Sequence, residues 1–200
     1  MSELRGLLEG KRLLLFDLDG TLADTTPLHA RAFTEVLAPL GVPVDYARIA
    51  GMKTGDALRK CFEDAGRAAP DPADLERLTS AKQDLVRKLI RTHLKPLPGV
   101  KEFLAWCSPR FRLALASSGS RETVRLSLQT LGLEELFDPV ICGEDTARAK
   151  PAPDPFLRAV ELTGIPPQEV LVFEDSENGF AAARAAQLAC VDATRLDWSI

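Results

Sequence analysis

The sequence lacks the features that mark thiolate metal sites, disulfide-stapled folds and membrane-spanning proteins. Its 200 residues include only four cysteines and two histidines, and no cysteine lies in a CxxC or Cys/His arrangement. This spacing argues against zinc and against a disulfide framework, so we expect buried free thiols at Cys61, Cys107, Cys142 and Cys190. No apolar run approaches the length of a membrane span, and the N-terminal segment lacks the apolar core of a signal peptide. A cytoplasmic protein is expected.

The chain also lacks an excess of positive charge. Lys and Arg number 25 against 29 Asp and Glu, which leaves a net charge of -4. Such a surface does not attract a nucleic-acid backbone or an anionic membrane, so neither is expected as a partner. The remaining composition, 46% hydrophobic and 27% charged, is typical of a globular chain with one main core. We expect a monomer or a weak homo-oligomer.

Five short apolar segments alternate with segments of helical period. The apolar segments are residues 12–17, 112–117, 139–143, 170–175 and 189–192. Several are apolar at nearly every position, which is typical of parallel strands covered on both faces. The segments between them repeat apolar residues every three or four positions and therefore favour crossover helices. This alternation predicts a doubly wound, mostly parallel, Rossmann-like α/β sheet with helices on both faces.

Residues 25–93 interrupt the alternation. Three helical patterns follow one another there without a strand-like run, and Pro96, Pro98 and Gly99 mark the return to the sheet. We predict an inserted all-helical cap domain at 25–93 and a discontinuous α/β core formed by 1–24 and 94–200. An insertion after the first strand lies over the sheet edge where open α/β folds bind ligands.

Polar side chains follow four of the five predicted strands. They are Asp17 and Asp19 after the first, Ser117 and Ser118 after the second, Lys150 beyond the third, and Glu174 and Asp175 after the fourth. Taken singly, such residues are common as helix caps or solvated side chains. Because the carboxyl ends of parallel strands meet at one edge, we expect all seven to converge.

Carboxylates gathered at one edge require a cation. Two of them about 4 Å apart repel by roughly 4 kcal/mol at an effective dielectric constant of 20. A set of oxygen ligands without a nearby His or Cys suits Mg²⁺, which binds through a few carboxylates and a substrate phosphate. Ser117 and Lys150 would then hold an anion, and a phosphate that bridges them to the metal satisfies both halves of the site.

Four segments carry a resemblance to a known family. The segments are DLDGTLADT (17–25), ASSGS (116–120), KPAPDPF (150–156) and VFEDSENG (172–179). In order and spacing they resemble the four motifs of the haloacid dehalogenase superfamily over essentially the whole chain. The acid pair, the DSENG segment and the helical insertion resemble its β-phosphoglucomutase, sugar-phosphatase and phosphoglycolate phosphatase branch. The resemblance implies a Mg²⁺-dependent phosphatase of a small phosphorylated metabolite, with phosphoryl transfer of the β-phosphoglucomutase type as the alternative.

The resemblance also implies roles for the motif residues. Asp17 would be the nucleophile that forms an aspartyl-phosphate, and Asp19 the general acid and base. Residues two apart in an extended segment point to the same side, so both carboxylates can face one phosphorus atom. The implied metal ligands are Asp17, the Asp19 carbonyl, Asp175 and, directly or through water, Glu174. The implied phosphate-binding residues are Ser117, Ser118 and Lys150.

Residues of the insertion and one residue after the second strand are further candidates. A histidine at the position of His29 positions the general acid in β-phosphoglucomutases, and the alternative is a histidine packed on a helix face. Thr54 stands where those mutases carry an arginine that binds a second phosphate, which argues against mutase activity. Lys53 either substitutes for that arginine or is solvated. Arg121 either approaches a substrate anion or only begins a helix.

Other functions account for less of the sequence. Phosphonoacetaldehyde hydrolases use a cap lysine, but alanine replaces the second acid of their first motif, and Asp19 is present here. Receiver domains combine a phosphoacceptor Asp with Ser/Thr and Lys, but their acid pair precedes the acceptor and no helical domain interrupts their sheet. A non-catalytic module that binds phosphorylated ligands does not need every motif residue intact.

Overall fold

The five apolar segments form one parallel sheet. In the computed structural model, which describes residues 2–198, the strands are β1 (Leu13–Phe16), β2 (Arg112–Ala116), β3 (Val140–Ile141), β4 (Val170–Glu174) and β5 (Ala189–Asp192). Their order is β3-β2-β1-β4-β5, and every neighbouring pair is parallel. The predicted fold class and all five predicted strands are confirmed, with strand ends shifted by two residues at most.

Helices cover both faces of the sheet. They are α1 (Ser2–Leu8), α2 (Thr26–Leu37), α3 (Thr54–Asp64), α4 (Pro72–His93), α5 (Val100–Cys107), α6 (Arg121–Leu131), α7 (Asp154–Thr163) and α8 (Glu177–Ala185). Side chains alternate across a strand, so Leu14 and Phe16 pack with α5 and α6, whereas Leu13 and Leu15 pack with α7 and α8. Within residues 2–198, no helix combines the length and apolar character that crossing a membrane requires.

Helix α1 is not predicted from the sequence pattern. Leu4 and Leu8 are buried in the same apolar cluster as α5 and α6. Residues four apart lie on one face of a helix, so the spacing of Leu4 and Leu8 was the available signal for α1. The segment is short, and its burial against the rest of the chain stabilises it more than its own helix propensity does.

The insertion contains the three predicted helices and an apolar cluster of its own. The buried members of this cluster lie between residues 33 and 78, and Phe33, Leu58 and Leu78 represent its three helices. The first turn of α2 and the second half of α4 instead join the main cluster, through Leu28 and Ile90 among others. Because α2 and α4 contribute to both clusters, the domain limits 25–93 stay a prediction.

The two chain segments that connect the insertion to the core run side by side. The Asp24 N–H donates to the Lys95 carbonyl at 3.2 Å, and the Leu97 N–H donates to the Leu22 carbonyl at 3.0 Å. These bonds hold the entry and exit of the insertion beside the end of β1. The insertion is therefore anchored over the carboxyl edge of the sheet.

The four cysteines are free thiols, but they are not all buried. Cys61, Cys107 and Cys142 are buried as expected, whereas the prediction is wrong for Cys190, which is exposed. Cys190 lies in β5, the last strand of the sheet, which has a neighbouring strand on one side only. The sequence pattern does not distinguish an edge strand from a central one when both are apolar.

Candidate active site

Acidic side chains converge at the point where the strand order of the sheet reverses. Strands β2 and β3 lie on one side of β1, and β4 and β5 lie on the other. Open α/β sheets bind ligands at such a switch point. Asp17 follows β1 and Asp175 follows β4, and together with Glu174 they offer carboxylate oxygens within 4.8 Å of one another. In the described part of the chain, this is the one group of three such residues with ligand atoms so close.

The loop after β1 packs directly on Asp175. Gly20 has φ of 93°, and a Cβ atom added there would overlap the Asp175 carboxylate. The hydroxyl of Thr21 donates to Oδ1 of Asp175 at 3.2 Å. A side chain at position 20 would therefore be excluded both by backbone conformation and by space, which explains the glycine at this position.

Lys150 lies between two of the acids. Its side chain is fully buried, and its ammonium group donates to the carboxylates of Asp17 and Glu174 and, at 2.9 Å, to the Ala116 carbonyl. These acceptors occupy all three N–H groups. Burial alone would lower the pKa of Lys150, but Asp17 and Glu174 outweigh burial and raise it. Contact between Lys150 and a phosphoryl group stays a prediction.

Glu174 is saturated with protein donors. Oε1 accepts from Lys150, and Oε2 accepts from the backbone N–H groups of Asp175 and Ser176 and from the Ser176 hydroxyl at 2.9, 3.1 and 3.2 Å. A Cβ on Gly179 of α8 would overlap the Glu174 carboxylate. Ligation of a metal by Glu174, directly or through water, stays a prediction.

Crowding of the acids raises their proton affinity. Burial raises the pKa of Asp17, and Glu174, Asp175 and Asp19 raise it further, against the opposing effect of Lys150. Burial and the neighbouring Glu174 raise the pKa of Asp175 to about 7. One lysine does not balance this charge, and the donors are oxygen atoms. The site therefore fits a hard divalent cation.

The two serines after β2 have different orientations. The Ser117 hydroxyl donates to Oδ2 of Asp19 at 3.3 Å and accepts from the Gly119 N–H at 3.0 Å. The Ser118 hydroxyl is buried and has no hydrogen-bond partner, and Ser118 lines the cleft above the acids. The Ser117 hydroxyl is therefore directed at Asp19, and contact between either serine and a phosphoryl group stays a prediction.

His29 and Lys82 form a buried pair beside Asp19. The Lys82 ammonium lies 2.9 Å from Nδ1 of His29, and Nε2 of His29 lies 3.4 Å from Oδ1 of Asp19. Burial and the Lys82 charge lower the pKa of His29 to about 4, and burial lowers that of Lys82 to about 8. Since an ammonium can only donate, Nδ1 accepts, and the proton of the neutral ring lies on Nε2, facing Asp19.

Sequence reasoning missed Lys82. It lies on α4 between Leu78 and Val86, four residues from each, and all three are buried. A lysine at this spacing interrupts the apolar face of an otherwise regular amphipathic helix, and that interruption was the available signal. Buried lysines are rare without a partner or a function.

The other three predicted candidates, Thr54, Lys53 and Arg121, lie in different environments. Thr54, at the start of α3, lines the cleft. The Lys53 ammonium donates to the Thr146 carbonyl at 2.8 Å, so it bridges the insertion and the core and is not simply solvated. The Arg121 guanidinium pairs with Asp145 at 2.5 Å. Contact between Arg121 and a substrate anion stays a prediction.

The acids lie at the base of a cleft of about 460 Å³ between the insertion and the sheet edge. Asp17, Asp19 and Asp175 lie on the core side, and the insertion contributes Phe33 and Tyr46 among its lining side chains. Burial and the nearby acids, chiefly Asp19, raise the pKa of the Tyr46 phenol, so it remains a neutral hydroxyl. The volume suits a small ligand.

Comparisons with known proteins agree with this geometry. Residues 14–193 match the family described as haloacid dehalogenase-like hydrolase. The chain is 33% identical over 181 residues to the fructose-1-phosphate phosphatase YqaB of Escherichia coli K12, a match that covers 90% of this chain and 94% of the relative. It is 33% identical over 219 residues to a β-phosphoglucomutase of Mycobacterium bovis, covering 95% of this chain and 83% of the relative.

A solved structure of a relative also superposes closely. The structure of CbbY from Rhodobacter sphaeroides in complex with phosphate has a TM-score of 0.79 and 30% identity, and the match covers 90% of this chain and 84% of that chain. The family match spans most of the chain, and each of these three matches covers at least 90% of it. The chain is therefore an enzyme of the haloacid dehalogenase-like hydrolase family.

Proposed function

We propose that this enzyme is a Mg²⁺-dependent phosphatase that hydrolyses a small phosphomonoester through an aspartyl-phosphate. One observation carries the proposal: the carboxylates of Asp17 and Asp175 converge within 4.8 Å of one another at the base of a cleft that Asp19 and Ser118 also line. An acid that can act as a nucleophile, a second acid for proton transfer and carboxylates that can hold a cation thus lie together.

Asp17, Asp175 and the Asp19 carbonyl would hold Mg²⁺, with Glu174 acting through water. The bound ion would neutralise the acids and the phosphoryl oxygens, which lowers the cost of bringing an anionic ester to Asp17. Lys150 would hold Asp17 in place and would bind the phosphoryl group only by exchanging one of its present acceptors.

The chain's own residues account for both chemical steps. An oxygen of Asp17 bonds to phosphorus, the ester P–O bond breaks, and Asp19 gives its proton to the departing oxygen. The oxygen of a water molecule then bonds to phosphorus while Asp19 takes a proton from that water, the bond between phosphorus and the Asp17 oxygen breaks, and inorganic phosphate leaves with the Asp17 carboxylate restored. Ser118, which lines the cleft, would donate to the phosphoryl oxygens.

Asp19 must keep one orientation through both steps. The Ser117 hydroxyl lies 3.3 Å from Oδ2, and Nε2 of His29 lies 3.4 Å from Oδ1. Each oxygen of the carboxylate thus has its own neighbour. This arrangement supports the proposal that Ser117 and His29 position the general acid and do not contact phosphorus themselves.

The substrate is proposed to be a sugar phosphate or a similar small metabolite, in line with the E. coli relative named a fructose-1-phosphate phosphatase. Transfer of a phosphoryl group between sugar positions is the second candidate, because a relative at 33% identity is named a β-phosphoglucomutase. Thr54 in the cleft, where the resemblance expects arginine, favours hydrolysis over that alternative.

A phosphate-release screen tests the proposal. The purified chain is incubated with sugar 1- and 6-phosphates and p-nitrophenyl phosphate, with Mg²⁺, with EDTA, and with EDTA followed by excess Mg²⁺. We expect release that EDTA abolishes and Mg²⁺ restores. Release that EDTA leaves unchanged contradicts the metal dependence. Conversion of β-glucose 1-phosphate to the 6-phosphate without free phosphate supports the mutase instead.

Magnesium binding is expected to depend on pH. The pKa of Asp175 rises from its usual 3.8 to about 7 in the folded chain, so the folded state binds this proton more tightly than the unfolded state. Its contribution to stability therefore declines as pH rises from about 4 to about 7. Because protons compete with the metal, Mg²⁺ should bind about tenfold more weakly at pH 6 than at pH 8 and should raise Tm less.

Calorimetric titration and thermal unfolding at the two pH values measure this effect without an activity assay. Asp175→Asn should lose both the binding and its pH dependence, whereas Asp145→Asn, which alters an acid paired with Arg121 outside the cleft, should keep them. Equal Mg²⁺ affinity at pH 6 and pH 8 is inconsistent with metal binding at the crowded acids.

Lys82→Met is expected to lower kcat by about 10- to 100-fold with little change in KM, because it releases the His29 ring that faces Asp19. Without the Lys82 charge, the pKa of His29 should also rise from about 4. Lys88→Met, an exposed change on the same helix, is the matched control.

Nitrogen NMR reports the imidazole directly, because the chain has only two histidines to assign. In the wild type we expect one neutral His29 tautomer, protonated on Nε2, between pH 6 and pH 8. An unchanged His29 tautomer and pKa in Lys82→Met show that the lysine does not position this ring.

A further inference from the structure

The cleft has a charged base and an uncharged outer wall. Its acids Asp17, Asp19 and Asp175 lie at the base, where the proposed phosphoryl chemistry takes place. The outer wall, meaning the lining residues other than these acids, Phe33 and the His29–Lys82 pair, is mostly neutral and includes Tyr46, Ile49, Met52, Thr54 and Asn178. The charged residue among those that follow Asp175 is Glu177, which is exposed and negative.

Positive charge is scarce in this cleft. Among the described residues, Lys82 is the one lysine or arginine that lines it. Lys82 is 3% exposed, lies 2.9 Å from Nδ1 of His29, and has its ammonium 4.5 Å from the centre of the Phe33 ring. It belongs to the inner end, beside Asp19, and a ligand can reach it only by breaking this packing.

The basic residues near Thr54 in the chain are not among the described residues that line the cleft, and each has another partner. Lys53 donates to the Thr146 carbonyl at 2.8 Å, Arg48 pairs with Asp64 at 3.0 Å, and Arg59 pairs with Asp56 at 3.0 Å. Asn178, in contrast, reaches the insertion through a neutral contact, since its Nδ2 donates to the Ala50 carbonyl at 2.7 Å. Neutral groups and one acid thus surround the outer part of the cleft.

We infer that this site selects phosphomonoesters whose leaving group carries no negative charge, and that it discriminates against bisphosphates and phosphorylated carboxylates. The inference rests on the proposed function and narrows its substrate class. The negative charge of the transferred phosphoryl group would be balanced at the base of the cleft. A second anion on the same substrate would meet Glu177 without a counter-charge and would lose its water shell against apolar and aromatic side chains.

The outer wall is also suited to binding the neutral hydroxyl groups of a substrate. The Thr54 hydroxyl, the Tyr46 phenol and the Asn178 amide can hydrogen-bond to hydroxyl groups, and the face of an aromatic ring packs against the C–H groups of a sugar. The preferred substrate class is therefore a monophosphate of a small polyhydroxylated, uncharged molecule.

Matched substrate pairs test the inference. 2-Hydroxyethyl phosphate and 2-phosphoglycolate differ mainly in a hydroxymethyl group against a carboxylate, and fructose 1-phosphate and fructose 1,6-bisphosphate differ in a second phosphate. We expect kcat/KM to be about tenfold or more higher for the uncharged member of each pair at low salt. Because the effect is electrostatic, the ratio should shrink in 0.5 M NaCl.

Equal or faster turnover of the anionic members overturns the inference while leaving the proposed phosphatase intact. Release from none of the four substrates, or from any other phosphomonoester tested, overturns the proposed function itself. If the wild type cleaves the bisphosphate well and Lys53→Met removes that activity, Lys53 supplies the missing cation and the inference is wrong.

Variants designed to reverse the substrate selectivity give a second test. Thr54→Arg places a cation in the outer wall and should raise the kcat/KM ratio of fructose 1,6-bisphosphate to fructose 1-phosphate by about tenfold, whereas Thr54→Gln, of similar polarity without charge, should not. Met52→Arg provides the same test if the change at the start of α3 prevents folding. A ratio that neither arginine variant changes contradicts the inference.

Discussion

Asp17→Asn is expected to reduce phosphate release by roughly 10⁴-fold or more, the range seen when a nucleophile is removed from a catalytic unit. Asparagine keeps the size of the side chain but offers a poor nucleophile. The same change removes one of the carboxylates that converge within 4.8 Å, so Mg²⁺ should bind more weakly as well.

Stability should respond in the opposite direction from activity. Burial and three neighbouring acids raise the pKa of Asp17, which means that its charged form is disfavoured in the metal-free fold. Removing that charge should leave the free energy of unfolding unchanged or slightly higher, and urea unfolding without metal measures it. Asp74→Asn, on the surface of α4, is the control for both assays. Activity within tenfold of the wild type contradicts a nucleophilic Asp17.

Lys150→Met is expected to lower the free energy of unfolding by about 3–5 kcal/mol, because it leaves two buried carboxylates without their cation. The Lys150 side chain is fully buried between Asp17 and Glu174, and its ammonium also lies 4.8 Å from the centre of the Phe156 ring. Methionine keeps the packing of the Lys150 carbon chain but makes none of its three hydrogen bonds. Phosphate release should also be lost, since Asp17 is no longer held.

The cost of Lys150→Met should depend on pH. The charge of Lys150 favours ionisation of Asp17 and opposes the effect of burial on its pKa. Without that charge, the pKa of the acid rises further, so the folded variant takes up protons and the loss of stability is smaller at pH 5 than at pH 8.

Urea unfolding of matched variants separates the ion pair from general effects. Lys11→Met, which changes a partly exposed lysine bound to the Gln168 carbonyl, should cost less than about 0.5 kcal/mol. Lys150→Met combined with Glu174→Gln should cost less than the sum of the two single changes, because the second removes a charge that the first leaves unpaired. Strict additivity, or a cost no larger than that of Lys11→Met, means that the buried triad does not hold this edge together.

Much of the fold is readable from the sequence because its strands are buried on both faces. Residues 13–16 and 170–173 are apolar at every position, a pattern that a surface strand or an amphipathic helix does not show. The three helices of the insertion are equally readable from their period. Helix α1 is missed because a seven-residue segment depends on the surface it packs against.

The sequence predicts the parts of the proposed site that follow strand ends. It does not predict the parts that depend on contacts across the insertion. Asp17 and Asp175 follow adjacent strands, so topology alone predicts their convergence. Lys82 lies 53 residues from the His29 that it contacts, and no local pattern links the two. The different orientations of Ser117 and Ser118 likewise depend on where Asp19 and the cleft lie.

By itself, the sequence determined the parallel sheet, the helical insertion and the acids that follow its strands, because each is a local pattern of apolar and polar residues. The tertiary structure decided which acids accept hydrogen bonds from Lys150 and from backbone donors, which serine contacts Asp19, and that, among the described residues, Lys82 is the one lysine or arginine that lines the cleft. Those properties depend on distances between residues far apart in the chain, and such distances exist only once the chain has packed.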